Sequence, residues 1–155
     1  MFPMIDRALA DFLEEGVSLH IGARDARLQP SGARAAAVKV EPDGSHMVVY
    51  VPDLGASRIL PDLEANGQAA VSFGRPIDDR ACQVKGTVTA IRKATPDERP
   101  IITAQWQGFM RQLELIGIPA DLALGWANWP AVAIRMKVTA VFEQTPGPLA
   151  GTPLQ

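Results

Sequence analysis

Residues 50–67 read Tyr-Val-Pro-Asp-Leu-Gly-Ala-Ser-Arg-Ile-Leu-Pro-Asp-Leu-Glu-Ala-Asn-Gly, and residues 68–86 continue Gln-Ala-Ala-Val-Ser-Phe-Gly-Arg-Pro-Ile-Asp-Asp-Arg-Ala-Cys-Gln-Val-Lys-Gly. A strand over His46–Val51 leads into Ser57-Arg58, which open a short helical turn ending at Asn66-Gly67. Two further strands follow, the second carrying Gln83-Val84-Lys85-Gly86. The first amides of a helix are unpaired and partly positive, so an anion is favoured there. A serine hydroxyl adds a donor, and an arginine fork matches phosphate oxygens. Read locally, a capping serine and a solvated arginine are the simpler account of this dipeptide. Pro61 removes one early backbone bond if Ser57 is the cap.

Upstream, residues 4–15 have helical spacing, with Ile5, Leu9 and Phe12-Leu13 on one stripe and Gly16 as the stop. Val17, Leu19 and Ile21 alternate as a half-buried strand. Residues 24–32 form a polar connection, and Ala33–Glu41 reads as a second strand. Pro42–Ser45 then turns it back against His46–Val51 as a hairpin. Downstream of the central helix, Ala69, Val71 and Phe73 mark a fourth strand. On the fifth, Cys82, Val84, Gly86, Val88 and Ala90 share one face, opposite Gln83, Lys85, Thr87 and Thr89. Thr95-Pro96-Asp97-Glu98 is a capping-box start for a helix striped by Ile102, Trp106, Phe109, Leu113 and Ile116. A shorter helical piece over 120–127 precedes a long last strand. There Val132, Ile134, Met136, Val138, Ala140 and Phe142 share a face. Strands and helices do not alternate, so a doubly wound parallel sheet is disfavoured. The expectation is a mainly β (α+β) split β-barrel of about six mostly antiparallel strands with peripheral helices.

The totals narrow the function. At 155 residues the chain suits one domain with a core. It divides into a domain at 1–144 and an uncharged Pro/Gly tail at 145–155. The net charge of -2 gives no electrostatic footprint for nucleic acid. No apolar run reaches the roughly 18 residues of a membrane span, and Met1–Arg7 is unlike a secretory leader. One cysteine and two histidines argue against a disulfide or a structural zinc, and they fit a cytoplasmic protein. No Ser/His/Asp set, P-loop or dinucleotide fingerprint stands out, so no side chain is assigned a catalytic role.

Several residues carry candidate chemistry beside simpler readings. Arg34 and Lys39 add charge to one strand, yet strict alternation puts residues five apart on opposite faces. They share a site only if the strand bulges or one acts through its backbone. Gln83 offers a donor and an acceptor to a heterocycle edge, or simply faces solvent. Cys82 lies on the apolar face and reads as a small hydrophobe. His20 and His46 read as polar strand residues rather than haem ligands. Trp106 is core by default. Trp126 and Trp129 bracket a helix end, where packing or an interface competes with a role over a ring ligand.

Arg34-Ala-Ala-Ala-Val-Lys39 looks like an Arg-x-Val-Leu-Leu-Lys strand. Ser57-Arg58 with Leu63 and Asn66 looks like a Ser-Arg-Lys-Ala-x-x-Leu-x-x-Asn segment. Gln83-Val84-Lys85-Gly86 is similar to a Gln-Val-x-x-x-Gly strand. In this order and spacing the three resemble the pyridoxamine 5'-phosphate oxidase-like, FMN-binding split-barrel superfamily, over most of residues 10–144. The stretch from Trp129 to Pro148 resembles a subgroup of small bacterial members. The resemblance implies a homodimer with FMN at the subunit interface, an unidentified small-molecule substrate, and flavin-dependent oxidoreductase activity. Carried over by position, Arg34, Lys39, Val51, Ser57, Arg58 and Gln83 are the FMN candidates. Ile59 stands where the motif has a lysine. No match exists for the residues that hold a substrate phosphate in that family. A deazaflavin-dependent reductase and a non-catalytic flavin or haem binder or sensor are the rival readings.

Overall fold

The computed structural model describes residues 4–123 and 125–154. Helix α1 (Arg7–Glu14) starts on an Asp6 cap that accepts from Leu9 N, and it presses Phe12 and Leu13 inward. Strands β1 (Ser18–Arg24), β2 (Pro30–Arg34), β3 (Ala37–Val40) and β4 (His46–Pro52) follow. Helix α2 (Asp53–Asn66), strand β5 (Gln68–Gly74) and strand β6 (Ala81–Lys93) come next. A 3-10 turn at Pro96–Glu98 carries the expected capping box into α3 (Arg99–Leu115), and β7 (Ala131–Glu143) completes the sheet. The seven described strands pair antiparallel in the order β2-β1-β5-β6-β7-β4-β3. The fold is a mainly β split barrel with three α-helices around it among the described residues.

The expected second strand, Ala33–Glu41, is two strands, and this break makes the barrel. Ala35 N donates to Leu19 O, whereas its neighbour Ala36 N donates to Tyr50 O. Within two residues the chain changes partner from β1 to β4. The two edges of the sheet, β2 and β3, are therefore consecutive pieces of one segment, and the sheet curls to bring them together. The small side chains of Ala33, Ala35, Ala36 and Ala37 allow that corner. Ala35 and Val38 point into the barrel, while Ala36 and Ala37 both belong to a second cluster under α3.

That outer cluster includes Tyr50, Ile102 and Ala133, and α3 lies over it. Gln105 of α3 accepts from Val38 N and donates to Val38 O, and Glu14 accepts from Val40 N. The free edge of β3 is thus closed by side chains rather than left as a template for another strand. Helix α3 comes this close because Gly108 has no side chain: a Cβ there would collide with Glu15 O. The buried stripe of α3 includes Gln105, Gly108 and Gln112 beside Ile102 and Leu113, while Trp106 is half-buried and not core.

Two bulges revise the expected strand faces. Thr89 is an extra residue on β6 and Thr139 on β7, at the register shifts. Ala90 is accordingly exposed and Ile91 turns toward the core. On β7 Val141 is buried in place of Ala140 and Phe142, and the Lys85 ammonium lies 5.1 Å from the Phe142 ring centre. The helical piece expected at 120–127 is a 3-10 turn over Ala120–Ala123, with residue 124 outside the described residues. The tail folds back on its own chain. Leu154 N donates to Val141 O, Glu143 N donates to Thr152 O, and Leu154 packs on the core.

Candidate functional site

Helix α2 begins at Asp53, so Ser57 and Arg58 lie in its second turn and do not open it. The Ser57 hydroxyl donates back to Leu54 O and caps nothing. The local sequence misleads because Pro61, an ordinary helix breaker, is tolerated inside this helix on its exposed side. Asp53 already complements the positive end of the helix and pairs with Lys93. Anion chemistry here therefore depends on arginines rather than on helix amides.

Arg58 is exposed on α2 and faces a cleft of about 320 Å³ lined also by Arg34, Pro52, Leu54, Gly55 and Trp126. Neither arginine forms an ion pair among the described residues. Gly55 sets the close approach: a Cβ there would touch Ala33 Cβ at 3.3 Å, next to Arg34. Sequence reading passed over Gly55. A glycine in the first turn of a helix is the signal that could have found it.

Arg34 is half-buried at the end of β2. Its Nη2 donates to Ala127 O at 3.1 Å and to Asn128 Oδ1 at 2.8 Å. Its guanidinium lies 5.1 Å from the Trp126 ring centre and 5.6 Å from that of Trp106. Burial without a counter-ion holds its pKa below the ordinary arginine value. Trp106, Phe109 and Trp126 pack together behind it, with centroids 5.8 to 6.4 Å apart. Sequence reading named the tryptophans but passed over Asn128, a lone polar residue in a coil with no local signal.

The structure thus brings Arg34 and Arg58 to one cleft, whereas Ser57, next to Arg58 on the helix, is not among its lining residues. It does not bring Lys39, Val51 or Gln83 into the cleft. Lys39 is exposed on edge strand β3. The broken strand does place it on the outer face with Arg34, since Val38 and Val40 pack inward. Val51 is fully buried in the barrel, so only its main chain could meet a ligand. Gln83 sits on the outer face of β6, away from the lining residues of the cleft. Ile59, at the position of the family lysine, is buried in the core and does not line the cleft. Glu41, Asp43 and His46 lie together, but Arg135 holds both oxygens of Glu41 and Asp43 holds His46.

No protein-family model matches the chain, and no curated protein matches it. Solved structures do. HupZ of Group A Streptococcus superposes with a TM-score of 0.56 at 16% identity, covering 95% of this chain and 99% of that one. An FMN-binding protein from Syntrophomonas wolfei gives 0.53 at 11% identity, over 88% and 86%. A Clostridium acetobutylicum protein related to general stress protein 26, of the pyridoxinephosphate oxidase family, gives 0.53 at 12% identity, over 89% and 84%. At these identities the likeness is one of fold. The chain has the split-barrel fold of the pyridoxamine 5'-phosphate oxidase-like, FMN-binding proteins.

Proposed function

We propose that the chain is an FMN-binding protein of the cytoplasm that supports oxidoreductase chemistry on a small molecule. One observation carries the reading: two arginines without counter-ions among the described residues, Arg34 and Arg58, line one cleft beside an exposed tryptophan. The donor set suits a phosphate monoester, and the Trp126 face suits a planar ring. A bound flavin would supply hydride and electron transfer, and the protein would supply orientation and electrostatics. Arg34 and Arg58 would hold the phosphate, with Ser57 close by. Trp126 would shield one side of the ring from water.

The site in one copy is incomplete, because Lys39 and Gln83 lie elsewhere. A second copy could contribute them at a subunit interface. The exposed apolar rim of the cleft, Leu54 at 84% and Trp126 at 45% exposure, supports such a homodimer. Purified protein is expected to be yellow, to release FMN on extraction, and to gain thermal stability from added FMN. Colourless protein whose melting point FMN does not move would sink the proposal.

A further inference from the structure

Arg34 faces two sets of partners that compete for one nitrogen. Both bidentate forks of a guanidinium include Nη2, one with Nε and the other with Nη1. In this structure Nη2 is committed to the 125–129 loop, through Ala127 O and Asn128 Oδ1. Among the described residues, Nε and Nη1 of Arg34 have no hydrogen-bond partner. They diverge, so together they do not grip one phosphate. The loop carries Trp126, which shares both the cleft and the inner aromatic pocket with Arg34.

We propose that Arg34 is a latch: bidentate capture of a phosphate-type anion takes one of the two Nη2 hydrogens, the one held by Asn128 Oδ1, and loosens the Trp126 loop. The inference rests on the anion cleft proposed above and adds its regulation. Asn128 is then a positioning residue that lowers anion affinity by holding Arg34 in the latched state. A protein whose competent state is a minor population binds with its affinity reduced by that fraction. Removing one hydrogen bond to a charged group shifts such an equilibrium by about tenfold. Asn128→Ala is therefore expected to bind anion about tenfold more tightly, the opposite of what loss of a merely structural contact produces.

The test titrates purified protein with inorganic phosphate against chloride at matched ionic strength, following tryptophan emission and thermal stabilisation together. The latch predicts a saturable emission change in the wild type that disappears in Trp126→Phe while stabilisation by phosphate persists. It also predicts tighter phosphate binding by Asn128→Ala. Stabilisation by phosphate with Trp126 emission unmoved overturns the latch and leaves the cleft intact, as does equal or weaker binding by Asn128→Ala. Absence of any phosphate binding by the wild type overturns the cleft itself, and the latch with it.

Discussion

The two arginines differ in a way that makes the phosphate assignment quantitative. Arg34 is half-buried and already desolvated, whereas Arg58 is exposed. A hydrogen bond to a charged group contributes about 1.5–3 kcal/mol net. For Arg34 the upper half of that range applies, because binding demands little further loss of water. An exposed charge pair contributes up to about 1 kcal/mol. Riboflavin, which has the ring and lacks the phosphate, is the internal control. Arg34→Gln should reduce the preference for FMN over riboflavin by roughly 45- to 160-fold, and Arg58→Gln by up to about fivefold. Both flavins are titrated into ligand-free protein by fluorescence quenching, at low and high salt. Salt should erode the Arg58 share and spare most of the Arg34 share. If Arg34→Gln weakens FMN and riboflavin equally, Arg34 acts through the loop and not on the phosphate. If neither variant alters the preference, the phosphate is not in this cleft.

Three further expectations concern the scaffold. Gln105→Leu leaves Val38 N and Val38 O without partners beneath α3, so urea unfolding should show a loss of about 2–4 kcal/mol; a loss below about 1 kcal/mol would mean that water reaches that edge. Glu98 is held down to about 2, first by its hydrogen bonds from Arg92 and then by Thr95 N and the Tyr50 hydroxyl. Its folded-state value lies below the unfolded one, so its contribution is complete above about pH 4.5 and is lost as pH falls toward 2. Glu98→Gln should flatten the decline of the melting temperature over that window, and an unchanged slope would contradict the assignment. Burial pushes the Cys82 thiol up to about 12, so it should resist a thiol reagent near neutral pH in the native protein and react in denaturant. Rapid modification of the native protein would place it outside the core.

The elements that sequence reading located well have strong local signals. Thr95-Pro96-Asp97-Glu98 contains its whole capping box within four residues, and the box forms. The hairpin around Pro42–Ser45 and the alternation in β1 and β5 are likewise local. The misplaced features depend on partners far along the chain. Ser57 looks like a cap because a serine hydroxyl is a common helix start, and only the packing of Ala56, Ile59 and Leu63 extends the helix back to Asp53. The faces of β6 and β7 switch at Thr89 and Thr139 because pairing register inserts an extra residue that alternation cannot reveal. Of the candidate site, Arg34 and Arg58 meet across 24 residues, whereas Lys39 and Gln83, equally plausible in sequence, do not join them.

From residue order alone came the mainly β class, the hairpin and the capping-box start before α3, since periodicity, turn chemistry and capping are properties of neighbouring residues. Tertiary structure alone decided three things: that Ala33–Glu41 breaks between Ala35 and Ala36, that Asp53 rather than Ser57 begins the helix, and that Arg34 rests on Trp126 with its Nη2 held by Asn128. Each depends on which distant groups share a hydrogen bond or a buried face once the sheet has curled. Spacing along the chain carries no record of that closure.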